Sequence, residues 1–157
     1  MEILEIHKNE YLISTDKKKL DIEIIHNFLT HESGWSNGIT IDKVEKSIDN
    51  SLNFGIYLGH RLIGYARVIS DFSTIAYLGD VFILEAYRGL GLSKWLMETI
   101  MEHKELQGLR RWILLTSTAE WLYEKYGFTK LLKPEIYMEK FNPNVYLNKE
   151  KINPKIS

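Results

Sequence analysis

Asp80-Val81-Phe82-Ile83-Leu84-Glu85-Ala86-Tyr87-Arg88-Gly89-Leu90-Gly91-Leu92-Ser93-Lys94 changes character twice along its length. It opens as an apolar, β-branched run of strand type. A turn rich in glycine follows, and the chain then takes up a helical period in which Leu92, Trp95, Leu96, Thr99, Ile100 and His103 share one face. A strand that passes through such a turn into a helix presents unpaired backbone N–H groups at the positive end of the helix dipole. That arrangement suits an anion, a pyrophosphate included. Gly89 and Gly91 let a ligand approach the backbone, and Arg88 adds positive charge beside it. The segment is neither a Walker loop, since no Gly-Lys-Ser/Thr ends it, nor a Gly-x-Gly-x-x-Gly dinucleotide fingerprint. A glycine-rich turn without a ligand is the alternative reading of these residues alone.

Working outward, residues 91–104 are the expected helix, and Gln107-Gly108 its exit turn. Trp112-Ile113-Leu114-Leu115 reads as a short strand buried on both sides. Residues 118–125 read as a helix stopped at Gly127, and 135–141 as a last strand. Upstream, 75–84 is extended, and 53–58 and 61–71 form a hairpin closed by Gly59-His60. Residues 10–14 open the domain as a strand, and Asp16 is the expected N-cap of a helix whose stripe is Leu20, Ile24, Phe28, Ile25 and Leu29. A loop, His31-Glu32-Ser33-Gly34-Trp35-Ser36-Asn37-Gly38, leads to a second helix starting near Thr40 with Ile41, Val44 and Ile48 inward. The fold class is therefore α/β, order βααβββαβαβ: a mixed, mostly antiparallel central sheet with helices on both faces. Residues 1–147 form a single domain, and 148–157, polar and holding Pro154, a loose tail.

Two motifs carry a resemblance to a known family. Tyr87-Arg88-Gly89-Leu90-Gly91-Leu92-Ser93 resembles the coenzyme A signature of the GNAT acetyltransferase superfamily, Arg/Gln-x-x-Gly-x-Gly/Ala, with Ser93 where Gly or Ala is usual. Leu122-Tyr123-Glu124-Lys125-Tyr126-Gly127-Phe128 is similar to that family's Leu/Phe-Tyr-x-x-x-Gly-Phe motif and follows at the expected distance. The resemblance spans residues 10–141 and implies acetyl-CoA as co-substrate. It implies pantetheine pairing along Val81, Phe82 and Ile83, a carbonyl-polarising N–H from Phe82 or Ile83, and pyrophosphate on Arg88, Gly89, Leu90, Gly91, Leu92, Ser93 and Lys94. Gly79 is the expected site of a bulge that opens the slot. The family's usual pantetheine-contacting Asn is replaced by Thr116, which either substitutes for it or caps the next helix.

Acetyl transfer needs an amine that loses its proton, a polarised thioester and a proton for the departing thiolate. By the motif match, Tyr123 is the acid toward the thiolate, and also a cofactor contact; the alternative is a core tyrosine. Asp80, before the cofactor strand, accepts the amine proton, anchors a cationic acceptor, or is structural. Trp35 and His31, in the loop, are the remaining acceptor-side candidates. The expected function is N-acetylation of a small-molecule primary amine. Two alternatives stay open: a non-catalytic CoA-binding module, and acetylation of a protein or peptide amine.

Composition bounds the rest. Twenty basic and 21 acidic residues leave a net charge of −1, which argues for no nucleic-acid partner and no anionic membrane. The absence of cysteine excludes disulfides, thiolate nucleophiles and Cys-ligated metals. His7, His26, His31, His60 and His103 lack ligand spacing, so no metal site is expected. No apolar run is long enough to span a membrane, and the N-terminus lacks signal-peptide character, so the expected location is cytoplasmic. A homodimer is compatible with this reading.

Overall fold

The computed structural model describes residues 1–147; the expected tail, 148–157, lies outside the described residues. Six strands form one sheet in chain order: β1 (Glu5–Lys8), β2 (Tyr11–Ser14), β3 (Leu52–Leu58), β4 (Arg61–Ser70), β5 (Ile75–Ile83) and β6 (Arg111–Ile113). All neighbours are antiparallel except β5 and β6, which run parallel. The helices are α1 (Ile22–Asn27), α2 (Ile41–Asp49), α3 (Leu92–Glu102) and α4 (Glu120–Glu124). No helix of the described residues is long and apolar enough to cross a membrane.

Each sheet face carries its own core. Ile25, Phe28 and Leu29 from α1 and its extension, with Val44 and Ile48 from α2, meet Tyr57, Leu62, Tyr65 and Phe82. On the other face Leu92, Trp95, Leu96, Met97 and Ile100 of α3 meet Phe54, Ile56, Ile63, Val68, Leu78 and Ile83. The apolar period of each helix thus matches one face of the sheet, as a three-layer α/β domain requires.

Several local readings need correction. Asp16 accepts the Lys18 N–H and starts only a 3-10 turn, Lys17–Lys19; the cap of α1 is Asp21, whose carboxylate accepts the Ile24 N–H at 3.1 Å. The end of α1 widens into a π-turn, Phe28–Glu32, so His31 is still helical in character. Thr40 caps α2 as its position predicts. An N-terminal strand unforeseen in the sequence, β1, pairs with β2. Strand β6 is half-buried rather than buried on both sides, and Leu115 is 70% exposed. The reason is that no strand forms at 135–141: a 3-10 turn, Pro134–Ile136, stands at its start, and Met138 is 98% exposed. Among the described residues no strand covers the sheet edge at β6.

Two irregularities in the ladder decide where side chains point. Between Phe82 and Gly79, β5 carries two residues opposite the single Ala66 of β4. Asp80 takes the left-handed conformation there, φ 53°, so the residue that carries the bulge is Asp80 and not Gly79. The extra residue inverts the facing of the strand. Ala76 and Leu78 face α3, whereas Phe82 faces α1 and Ile83 faces α3.

Candidate active site

Past the bulge, β5 has no strand partner on its β6 side among the described residues. The parallel ladder joins only Ile75, Ala76 and Tyr77 to Arg111, Trp112 and Ile113. Beyond it the strands diverge. The Leu84 N–H donates to Ile63 O at 2.8 Å across β4. Antiparallel bonding alternates, so the backbone of Phe82 faces β4 and the backbones of Val81 and Ile83 face the gap. The Ile83 carbonyl accepts the Arg88 Nε–H at 2.9 Å, which agrees with that outward facing. Of the two amides suggested for a polariser, Ile83 therefore faces the gap and Phe82 does not.

The glycine turn follows at once. Gly89 and Gly91 adopt φ of 78° and 77°, a conformation that costs residues with a Cβ. Gly91 is the N-cap of α3, and its carbonyl accepts the Trp95 N–H at 3.2 Å. Gly89, Leu90 and Gly91 are exposed, while Leu92 is buried and fixes the helix to the sheet. The N–H groups of Leu92, Ser93 and Lys94 occupy the first turn of an 11-residue helix, where an α-helix has no internal acceptors. The Tyr126 hydroxyl donates to Lys94 O at 3.0 Å and ties the downstream motif to this turn.

Across the gap, a cleft of about 370 Å³ is lined by Leu114, Leu115, Thr116, Tyr123, Phe128 and Leu131, among others. It brings Thr116 and Tyr123 together. The Thr116 hydroxyl accepts the Ala119 N–H at 3.0 Å, a capping bond that leaves its own proton to donate. Tyr123 is buried, and burial holds its phenol above the usual tyrosine pKa, so it stays protonated at neutral pH.

At the bulge the structure joins Asp80 to Trp35 and to a residue sequence reasoning missed. The Trp35 indole N–H donates to Asp80 Oδ1 at 3.1 Å, and Arg67 Nε donates to Asp80 Oδ2 at 2.6 Å. Arg67 also reaches Ser51 Oγ at 3.2 Å. A charged residue inside the otherwise apolar run Leu62-Ile63-Gly64-Tyr65-Ala66-Arg67-Val68-Ile69 was the available signal for it. Phe28 was missed too: its ring stacks on Phe82 at 3.9 Å and lies 6.1 Å from Trp35, so the loop is seated on the cofactor-strand candidate. His31 is exposed and makes no hydrogen bond to Asp80 or Trp35. A second groove, of about 630 Å³, lies beside the end of β5 and is lined by Asp21, Glu23, Glu32, Leu84, Glu85 and Arg61, among others.

Known proteins resemble this chain in sequence and in fold. Residues 49–130 match the family model described as an acetyltransferase (GNAT) domain. A crystal structure from Xanthomonas campestris pv. campestris, of a protein assigned to the GNAT family, is 47% identical, with a TM-score of 0.86 over 88% of this chain and 97% of that one. A Gibberella zeae protein classed as an acetyltransferase is 29% identical over 75% of this chain and 78% of its own length. A Clostridium acetobutylicum protein, whose crystal structure holds acetyl-CoA, shares the fold at 17% identity and a TM-score of 0.59, over 83% of this chain and 94% of that one. On the family model that matches half of its length and a 47%-identical relative covered almost end to end, the chain belongs to the GNAT acetyltransferase family.

Proposed function

We propose that the chain transfers the acetyl group of acetyl-CoA to the primary amine of a small cationic molecule. The observation that carries this reading is the unpartnered edge of β5 running directly into the glycine turn of α3. Pantetheine fits the edge as a surrogate strand, and the pyrophosphate fits the N–H groups from Gly89 to Lys94 with Arg88 beside them. The thioester carbonyl then meets the Ile83 N–H, which stabilises charge developing on its oxygen. The amine nitrogen attacks the carbonyl carbon and the C–S bond breaks. Tyr123 gives its proton to the departing thiolate and regains one from solvent. The amine's own proton leaves to water or to a lone pair of Asp80.

Charge supports the acceptor class. The groove at the end of β5 sets Asp21, Glu23, Glu32 and Glu85 against one arginine, Arg61, at its wall. Such a groove concentrates cations. Asp80 already holds Arg67 and Trp35, so its larger task is to fix the rim through which the acceptor enters. Thiol release from acetyl-CoA against a panel of polyamines, amino acids, aminoglycosides and peptides tests the reading. Turnover concentrated in the polycationic small molecules is expected; turnover confined to peptides, or with no acceptor at all, rejects it.

A further inference from the structure

Trp35 is an exposed side chain held in one place. More than half of its surface, 55%, is open to solvent. Its backbone is fixed from within the loop. The Ser33 hydroxyl donates to Leu29 O at 2.6 Å and accepts the N–H groups of Trp35 and Ser36 at 3.3 and 3.0 Å. Asn37 Oδ1 accepts the Gly34 N–H at 3.2 Å, and Thr30 Oγ1 accepts the Gly38 N–H at 3.0 Å. The ring is fixed from below. Its N–H edge donates to Asp80, and the ring leans on Phe28 at 6.1 Å between centroids with 55° between planes. Phe28 in turn stacks on Phe82 of β5. Ordering a side chain at the surface loses rotamer freedom, and water satisfies an exposed indole N–H without that loss. A ring that is both open and immobilised is preorganised to bind.

Charge decides what the ring takes. The Asp80 carboxylate is already neutralised by Arg67, and the two side chains are only 11% and 18% exposed. Arg67 is held in place by Ser51 Oγ, whose own proton goes to Ser47 O of α2 at 2.6 Å. The acidic groove reaches this loop at Glu32, three residues before Trp35. An ammonium drawn along the groove therefore meets an aromatic face at the loop, beside a carboxylate that is already paired. An indole is the best of the aromatic faces for a cation, and donation of its N–H to a carboxylate adds electron density to the ring. We propose that Trp35 selects the acceptor by a cation–π contact: its open face holds a second, non-reacting ammonium of the acceptor while the reacting amine reaches the gap beside β5. The proposal rests on the cationic acceptor class argued above, and adds the residue that reads it. Asp80 and Phe28 are then positioning residues for the ring.

The test is binding of hexamethonium, an alkane with a trimethylammonium at each end, which has no N–H and takes no acetyl group. The tryptophans, Trp35, Trp95, Trp112 and Trp121, are replaced biosynthetically by mono-, di- and trifluorinated analogues in the full chain. Fluorine withdraws charge from the ring face and keeps the indole shape and N–H, so a purely structural role for Trp35 leaves the affinity level. Titration calorimetry is expected to show the Kd for hexamethonium rising with each fluorine, about fivefold over the series. In Trp35→Phe the fluorine series is expected to be flat, which assigns the slope to this ring, and Trp35→Leu is expected to bind more weakly than Trp35→Phe. A flat series in the unmodified chain, or a slope that survives Trp35→Phe, overturns the proposal. No acetyl donor enters these titrations, so their failure leaves the proposed transfer standing. A fluorine slope beside an acceptor panel without turnover would instead support the contact and reject the transfer.

Discussion

At the residue scale, environment assigns different work to two similar-looking candidates. Tyr123 is buried in the cleft, and desolvation keeps its phenol protonated, the state a proton donor needs. Tyr123→Phe is expected to lower kcat about 10²-fold with cofactor affinity nearly unchanged. Since the phenol's pKa is raised, the acid form persists as pH rises from 7 toward 9, and the rate should climb over that range as the acceptor amine deprotonates. A decline near neutral pH would assign the proton to another group. Asp80 is held by two donors and is strained at φ 53°. Asp80→Asn weakens both contacts and releases Trp35; the acceptor KM should rise severalfold while CoA affinity holds. Kinetic constants beside a thermal melt separate this from a structural role, in which stability falls and kinetics do not. The sequence marked Asp80 and Trp35 separately. Their contact was hidden, because 45 positions separate them in the chain and only the bulge turns the carboxylate toward the loop.

At the scale of elements, the hairpin of β3 and β4, the cap of α2 and the glycine turn of α3 were legible, because each is set by local chemistry: a Gly turn, a Thr cap, a dipole end. The strand expected at 135–141 was not formed, because alternation reports a segment's preference for a sheet and not which sheet edge receives it. The bulge was misplaced by one residue: glycine is the usual left-handed position, but Asp tolerates it. Two predictions belong here. Gly91→Asp puts a side chain and a negative charge at φ 77° on the N-terminus of α3, and CoA binding by calorimetry should fall at least tenfold. At the other end of α3, His103 is buried against Phe54 with its ring N accepting the Glu105 N–H at 3.2 Å, and burial lowers its pKa below 6.5. The unfolded chain therefore binds the proton more readily, so stability is lost as pH falls below about 6.5. Melting temperatures across pH 5–7.5 should show that slope, and His103→Asn should flatten it.

At the scale of the whole molecule, one sheet separates two jobs. In the proposed function the α3 face and the splay between β5 and β6 serve the donor, and the α1–α2 face, which carries the Trp35 loop over the bulge, serves the acceptor. Family and layer order could be read from two motifs and the apolar periods. The acidic groove could not, because Asp21, Glu23, Glu32 and Glu85 are scattered along a chain whose net charge is only −1 and converge solely through the fold. The central claim is that the gap beside Ile83 carries an acetyl group from thioester to amine. Its most direct test is the stoichiometry of one reaction: thiol released against acetylated amine formed, both by mass spectrometry, with acetyl-CoA and a polyamine. One acetylated amine per thiol, with both signals lost in Gly91→Asp, is the predicted result; thiol released without acetylated amine would contradict it.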